Sequence, residues 1–234
     1  MQPGPAFHIK LYTSAELLSQ PWLPDLTSMV NASYRVSHTS KIKFPEDKIR
    51  LSSDSQLSKE IGPDGFTAVA LVDSGPDHKP EVIGTASLKK WTDDGLWEPC
   101  NEAGNDIDSV VAELADEVNE DMDHVLEKHA CLGDYEVAVV ALPPDPRYRG
   151  RGIAGHLVRA CEEEVLRRHR VEDRHLSSPV RIMIRVAKED TGAYWLKQGF
   201  SILGSRKCAI GVWNALEEFT MWAMIFIVLM YLLL

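Results

Sequence analysis

The chain has 234 residues, 44% of them hydrophobic, and a formal net charge of -10 at pH 7. That length holds one core with insertions or at most two small domains, and a single core is expected. The acidic balance excludes general nucleic-acid binding, which needs a basic surface to displace counterions, and it suits a cationic or amine-bearing partner.

Residues 1–10, MQPGPAFHIK, lack a charged-then-apolar signal pattern, so a cytoplasmic rather than secretory setting is expected. Asn31-Ala32-Ser33 then reads as a chance glycosylation sequon. Phe7 to Tyr12 alternates as a first strand, and Thr13-Ser14-Ala15-Glu16 follows as a capping box opening a short helix. Pro21 and Pro24 end that helix. Pro24 suits the first turn of a second helix, on which Leu26, Met29, Val30, Ser33 and Tyr34 share a face. Residues 37–65 are polar and broken by Pro45, Gly62 and Pro63, with one short helix expected at Gln56 to Ile61. Phe66 to Val72 and Glu81 to Trp91 read as an antiparallel hairpin, joined by the turn-forming Asp73-Ser74-Gly75-Pro76-Asp77.

Residues 93–129 form a strongly acidic insertion. Val110, Val111, Leu114, Val118, Met122, Val125 and Leu126 recur at helical spacing within it. It reads as a surface helix with a solvated acidic face or as an insertion over a cleft that attracts a cationic substrate. Tyr135 to Leu142 is an apolar strand, followed by a turn rich in proline and arginine and by an amphipathic helix from Gly152 to Arg170. That helix buries Ile153, Leu157, Cys161 and Val165 and turns Glu162, Glu163, Glu164, Arg167 and Arg168 to solvent. Val180 to Val186, with RIMIRV, is another strand; Glu189 to Leu196 is a short helix stopped before Gly199; Phe200 to Gly204 begins a further strand. The element order predicts an α/β (α+β) fold with a mixed, mostly antiparallel sheet and helices on both faces. The four cysteines, Cys100, Cys131, Cys161 and Cys208, have no metal-ligand pairing and read as reduced thiols, so no metal is expected.

The tail, residues 219–234, has no charged side chain. Two readings compete: a last strand from Phe219 to about Phe226, or a single C-terminal transmembrane segment, for which the stretch is somewhat short of the roughly 20 residues that span a bilayer. The strand is preferred, because Glu217 and Glu218 give an anchor no positive-inside support.

The chemistry centres on Arg149-Gly150-Arg151-Gly152-Ile153-Ala154. A helix opening in glycines leaves its first N–H groups pointing outward, where an anion such as a pyrophosphate can sit. A triphosphate loop needs Gly-Lys-Ser or Gly-Lys-Thr, which is absent. A dinucleotide fingerprint needs three spaced glycines in an early parallel βαβ unit, and that context fails too. What remains, Arg-x-x-Gly-x-Ala between a strand and a helix, resembles the acyl-coenzyme-A signature of the GNAT superfamily of N-acetyltransferases. Ala193-Tyr194-Trp195-Leu196-Lys197-Gln198-Gly199-Phe200 is similar to that family's closing segment, in which an aromatic-bearing helix runs into Gly-Phe. The two motifs cover about residues 133 to 202.

The resemblance implies a single GNAT acyltransferase domain over 1–234, binding acetyl-CoA as cosubstrate between two splayed strands and passing its acetyl group directly to a primary amine of a small molecule or basic peptide. Arg147, Arg149, Gly150, Arg151, Gly152, Ile153 and Ala154 would hold the pyrophosphate, and Val140, Ala141 and Leu142 would pair with the pantetheine arm as with an added strand. With Leu142 at the family's usual valine position and two extra residues in Pro143 to Arg147, Glu136 coincides with the glutamate base of the family's histone-acetylating members. The family's tyrosine acid falls on Trp195, which cannot usefully donate a proton, so the adjacent Tyr194 is the candidate. The rival reading is a catalytically weak GNAT-like domain, tethered to a membrane by its tail, that binds CoA or a partner without turnover.

Overall fold

The first helix forms where its capping box stands. In the computed structural model, Thr13 N–H donates to Glu16 Oε2 at 2.8 Å and Glu16 N–H donates to Thr13 Oγ1 at 3.3 Å, closing both orphan donors at the start of α1 (Ser14–Leu18). Residues 6–35, 42–45, 47, 49–73, 75, 78–92, 98–99, 134–148, 150–172 and 180–228 are described; the acidic insertion, apart from 98–99, lies outside them. Contacts group the chain into two units: Met1–His38, Glu46–Lys90 and Val137–Leu176 in the first, Thr39–Pro45, Trp91–Glu136 and Ser177–Leu234 in the second.

In the first unit β1 (His8–Thr13), β2 (Phe66–Val72) and β3 (Glu81–Lys90) are antiparallel neighbours, with the 137–141 part of β5 (Tyr135–Ala141) next to β3. The sheet is covered on both faces, which is why β2 and β3 are buried almost throughout instead of alternating. Val69, Leu71 and Val82 join a cluster with Leu17, Leu26 and Met29, from α1 and α2 (Leu23–Arg35), and with Leu57 of α3 (Gln56–Ile61). The other face receives α4 (Ile153–Glu172), whose Ile153, Leu157, Cys161 and Val165 are buried as its spacing predicts. A Cβ on Gly84 of β3 would stand 2.6 Å from Leu142 Cδ2 and 3.0 Å from Leu157 Cδ1, so only a glycine lets α4 sit this close.

Glu164 departs from the expected solvent face of α4. It is 8% exposed and accepts from both Arg167 Nε (2.6 Å) and Arg168 Nε (2.7 Å). Arg168 also lies 4.4 Å from the Phe66 ring and donates to Asp64 C=O, so packing on β2 draws the charged pair inward. The sequon asparagine is structural: Asn31 Nδ2 donates to Leu51 C=O, and its Oδ1 accepts from Arg50 and Leu51 N–H.

The second unit carries the strands β6 (Val180–Ala187), β8 (Phe219–Val228), β7 (Ser201–Cys208) and the two-residue β4 (Glu98–Pro99), antiparallel in that order. The apolar stretch from Phe219 is thus a strand paired on both edges, Val180↔Val228 on one side and Cys208↔Phe219 on the other. This corrects the transmembrane alternative over 219–228: every second residue does not need to be polar in a strand buried on both faces. No helix among the described residues is long and apolar enough to cross a membrane, and 229–234 lie outside them. The predicted helix at Glu189 to Leu196 is a π-helical turn, Lys188–Gly192, running into α5 (Ala193–Lys197).

Candidate functional site

Strand β5 ends at Ala141, and Pro143 and Pro144 prevent its continuation. Val140 and Leu142 are half-buried, and Ala141 is packed in the core beside Val139. The chain then makes one 3₁₀ turn, Pro146–Tyr148. Asp145 organises it: Oδ1 accepts Arg147 N–H at 2.8 Å and Oδ2 accepts Arg147 Nε at 2.7 Å. These bonds hold the Asp145 carboxyl below the usual carboxylate range. The next residue, Tyr148, is buried and donates its hydroxyl to Glu81 Oε1 at 2.8 Å, pinning the turn to the first residue of β3. Burial, and then that bond, raise the Tyr148 phenol above its ordinary value.

Two residues later the backbone becomes left-handed. Gly150 has φ +68° and Gly152 φ +73°, conformations that cost an L side chain about 1–2 kcal/mol. Nothing lies within 4 Å of a Cβ built at Gly150, so the backbone angle and not crowding asks for glycine there. The first ladder bond of α4 is His156 N–H to Gly152 C=O at 3.0 Å. The N–H groups of Ile153, Ala154 and Gly155 therefore precede the ladder, at the positive end of a 20-residue helix. The buried Ile153 side chain fixes this turn while Ala154 and Gly155 leave its outer side open. Backbone donors left unpaired in this way can accept an anion. Arg151 stays beside it, its Nη1 3.5 Å from Arg147 C=O, whereas Arg147 shares its charge with Asp145. Arg149 lies outside the described residues.

In the second unit Glu136 is 5% exposed on β5, and Arg185 Nη1 of β6 stands 3.4 Å from both its carboxylate oxygens. The Arg185 guanidinium lies 4.3 Å from the centre of the Trp91 ring and donates to Thr92 C=O. Asp134 and Arg181 form a second, looser rung at 3.8 Å. Tyr194 is 40% exposed, packs edge-on against Trp195 at 5.2 Å, and has its phenol raised by burial. Trp195 is 5% exposed and continues through Phe200 to Phe226 in a chain of ring contacts.

No family sequence model matches the chain, and no curated protein sequence matches it. Solved structures do. A putative acetyltransferase from Acinetobacter baylyi superposes with a TM-score of 0.54 at 13% identity, over 97% of this chain and 95% of that one. An acetyltransferase of the GNAT family from Streptococcus pneumoniae gives 0.52 at 12% identity, over 95% and 99%. This chain has the GNAT fold. The ribosomal-protein-S18-alanine N-acetyltransferase from Escherichia coli, at 0.50 and 11% identity over 96% of each chain, shares it.

On the GNAT fold, the residues expected at the cofactor turn, Val140, Ala141, Leu142, Arg147, Gly150, Arg151, Gly152, Ile153 and Ala154, form one continuous strand end, loop and helix start. The two catalytic candidates are not joined: Glu136 is engaged with Arg185, and Tyr194 with Trp195. Sequence reasoning missed Asp145, Tyr148, Trp91 and Arg185. A tyrosine inside a charged turn was the signal for the first pair, and two arginines four apart within the apolar RIMIRV run for the second.

Proposed function

We propose that the chain is an acetyl-CoA-dependent N-acetyltransferase acting on a primary amine. The observation that carries this is the cradle at Gly150 to Gly155: two left-handed glycines opening a long helix directly after an apolar strand, on the GNAT fold. Backbone donors there suit a pyrophosphate, with Arg151 adding charge. The backbone groups of Val140 to Leu142 would receive the pantetheine amides. Acetyl-CoA, when bound, supplies the activated thioester.

Glu136 would accept a proton from the substrate ammonium, directly or through water, freeing the nitrogen lone pair. The amine nitrogen then forms a bond to the acetyl carbon as the carbon–sulfur bond breaks; the acylated nitrogen gives its surplus proton to water, from which the proton donor is later restored, and the thiolate takes up a proton. Tyr194, exposed and with a raised phenol pKa, is the donor proposed for that last proton, since the buried Trp195 has no acidic group to give. The substrate class is a small-molecule amine or a basic peptide. The similar fold of the ribosomal-protein-S18-alanine N-acetyltransferase supports an amine acceptor. The net charge of -10 supports a cationic one.

A second reading rests on Trp195 and on the Arg185 contact to Glu136: a GNAT-fold domain that binds CoA or a partner with little turnover. Thiol release from acetyl-CoA with a panel of polyamines, amino acids and lysine peptides separates the two. Turnover abolished in Glu136→Gln with cofactor affinity retained is the expected result; binding without release for any amine selects the second reading.

A further inference from the structure

We infer that Arg185 is a positioning residue for Glu136, a role that rests on the reading of Glu136 as the base. Glu136 has three rotatable side-chain bonds and is 5% exposed, so an unheld carboxylate here would swing to the nearest donor. Arg185 limits that swing from one side. Its Nη1 approaches the carboxylate end-on, 3.4 Å from each oxygen, and not as the two-pronged fork in which an arginine takes both oxygens at about 2.8 Å. An end-on, long contact fixes the direction of the carboxylate without wrapping it.

Arg185 can do this because it is itself held. Its plane rests on the Trp91 indole at 4.3 Å, and its Nη2 donates to the carbonyl of Thr92. Trp91 in turn donates its backbone N–H to Asp134 C=O at 2.8 Å, two residues before Glu136 on the same chain segment. The circuit closes: Glu136 to Arg185, Arg185 to Trp91, Trp91 to the backbone of Asp134, and along that backbone to Glu136. Arg185 is 17% exposed and Glu136 6% by side chain, so water weakens the contact little. Planarity makes arginine the fitting cation, since an ammonium cannot both stack on the indole and reach the carboxylate with the same rigid group.

The neighbouring rung supplies the control. Arg181 on β6 and Asp134, the residue before β5, make the same kind of arginine–carboxylate contact at similar burial, but farther apart at 3.8 Å, and neither is assigned a reacting atom. Arg181→Met should therefore lower the melting temperature much as Arg185→Met does, without its catalytic effect.

The test is steady-state thiol release by the full chain with the best amine of the panel, with acetyl-CoA affinity and melting temperature measured on each variant. Arg185→Met should lose about tenfold or more in kcat, part of the 10²–10⁴ that a positioned base supplies, with KM for acetyl-CoA within about twofold of wild type. Arg185→Lys should recover part of that loss, and Arg181→Met should keep kcat within about threefold. Equal kcat losses in Arg181→Met and Arg185→Met that follow the melting temperature would overturn the inference, as would normal kcat in Arg185→Met. If Arg185→Met does not fold, Arg185→Lys and Trp91→Leu decide it: unchanged kcat in both rejects the role. A wild-type protein without turnover fails the proposed function and this inference together. Activity in Glu136→Gln removes the base assignment, and an inactive Glu136→Gln beside a normal Arg185→Met removes this inference alone.

Discussion

Under α4 the described part of the first unit's sheet is apolar, whereas the second unit buries two carboxylates against two arginines. There Gly84 and Ala86 meet Ile153, Leu157 and Cys161, and the Glu164–Arg168 pair lies where Arg168 reaches Phe66. On the other unit Asp134 and Glu136 face Arg181 and Arg185, each 17% exposed or less by side chain. Burying such pairs seldom stabilises a fold over apolar residues of the same size. On the proposed function the two regions do different work: the first is a scaffold under the Gly150 to Gly155 turn, and the second holds ionisable side chains in chosen directions.

That contrast breaks most visibly in the scaffold. Leu157→Ala should cost about 2–5 kcal/mol of stability, read by denaturant unfolding, because it empties a fully buried site against Gly84. Gly84→Val should cost about 1–3 kcal/mol by overpacking and, by displacing Leu142, weaken acetyl-CoA binding as well. A melting curve like wild type for either would mean that α4 is not fixed by this packing. Smaller still is the loss in Tyr148→Phe, about 0.5–1.5 kcal/mol for the hydroxyl bond to Glu81, with weaker cofactor binding from a looser turn.

The smallest effect is electrostatic. Hydrogen bonds from Arg167 and Arg168 hold the Glu164 carboxyl below its ordinary value. A group whose folded pKa is depressed adds stability that is complete above the ordinary glutamate value, near ~4.3, and is lost as pH falls through the lower folded value. Glu164→Gln should therefore flatten the stability profile of the protein in that acid range, lowering stability at neutral pH and leaving it like wild type once pH falls below the folded value.

The two regions also differ in how openly the sequence displays them. Strand, turn and helix around Gly150 to Ala154 are written in local chemistry: prolines that stop a strand, glycines that permit positive φ, apolar spacing that sets a helix face. Helix α3 and strand β2 fall where their residues predict them, for the same reason. Glu164 was misplaced because helical spacing counts apolar residues and cannot foresee an arginine neighbour that docks on Phe66. The tail is ambiguous in sequence because a strand covered on both faces and a membrane helix are both continuous apolar runs; strand pairing on both edges of Phe219–Val228 decides between them. The setting of Glu136 is the least legible. Its partner is 49 residues away, and the stacking of Arg185 on Trp91 depends on a third segment.

Calorimetric titration of acetyl-CoA into the full chain and into Gly152→Val bears most directly on the cradle. Saturable binding by the wild type, weakened about tenfold or more in a variant that still melts cooperatively, is the predicted result. No binding by the wild type, or equal binding by the variant, would contradict the account.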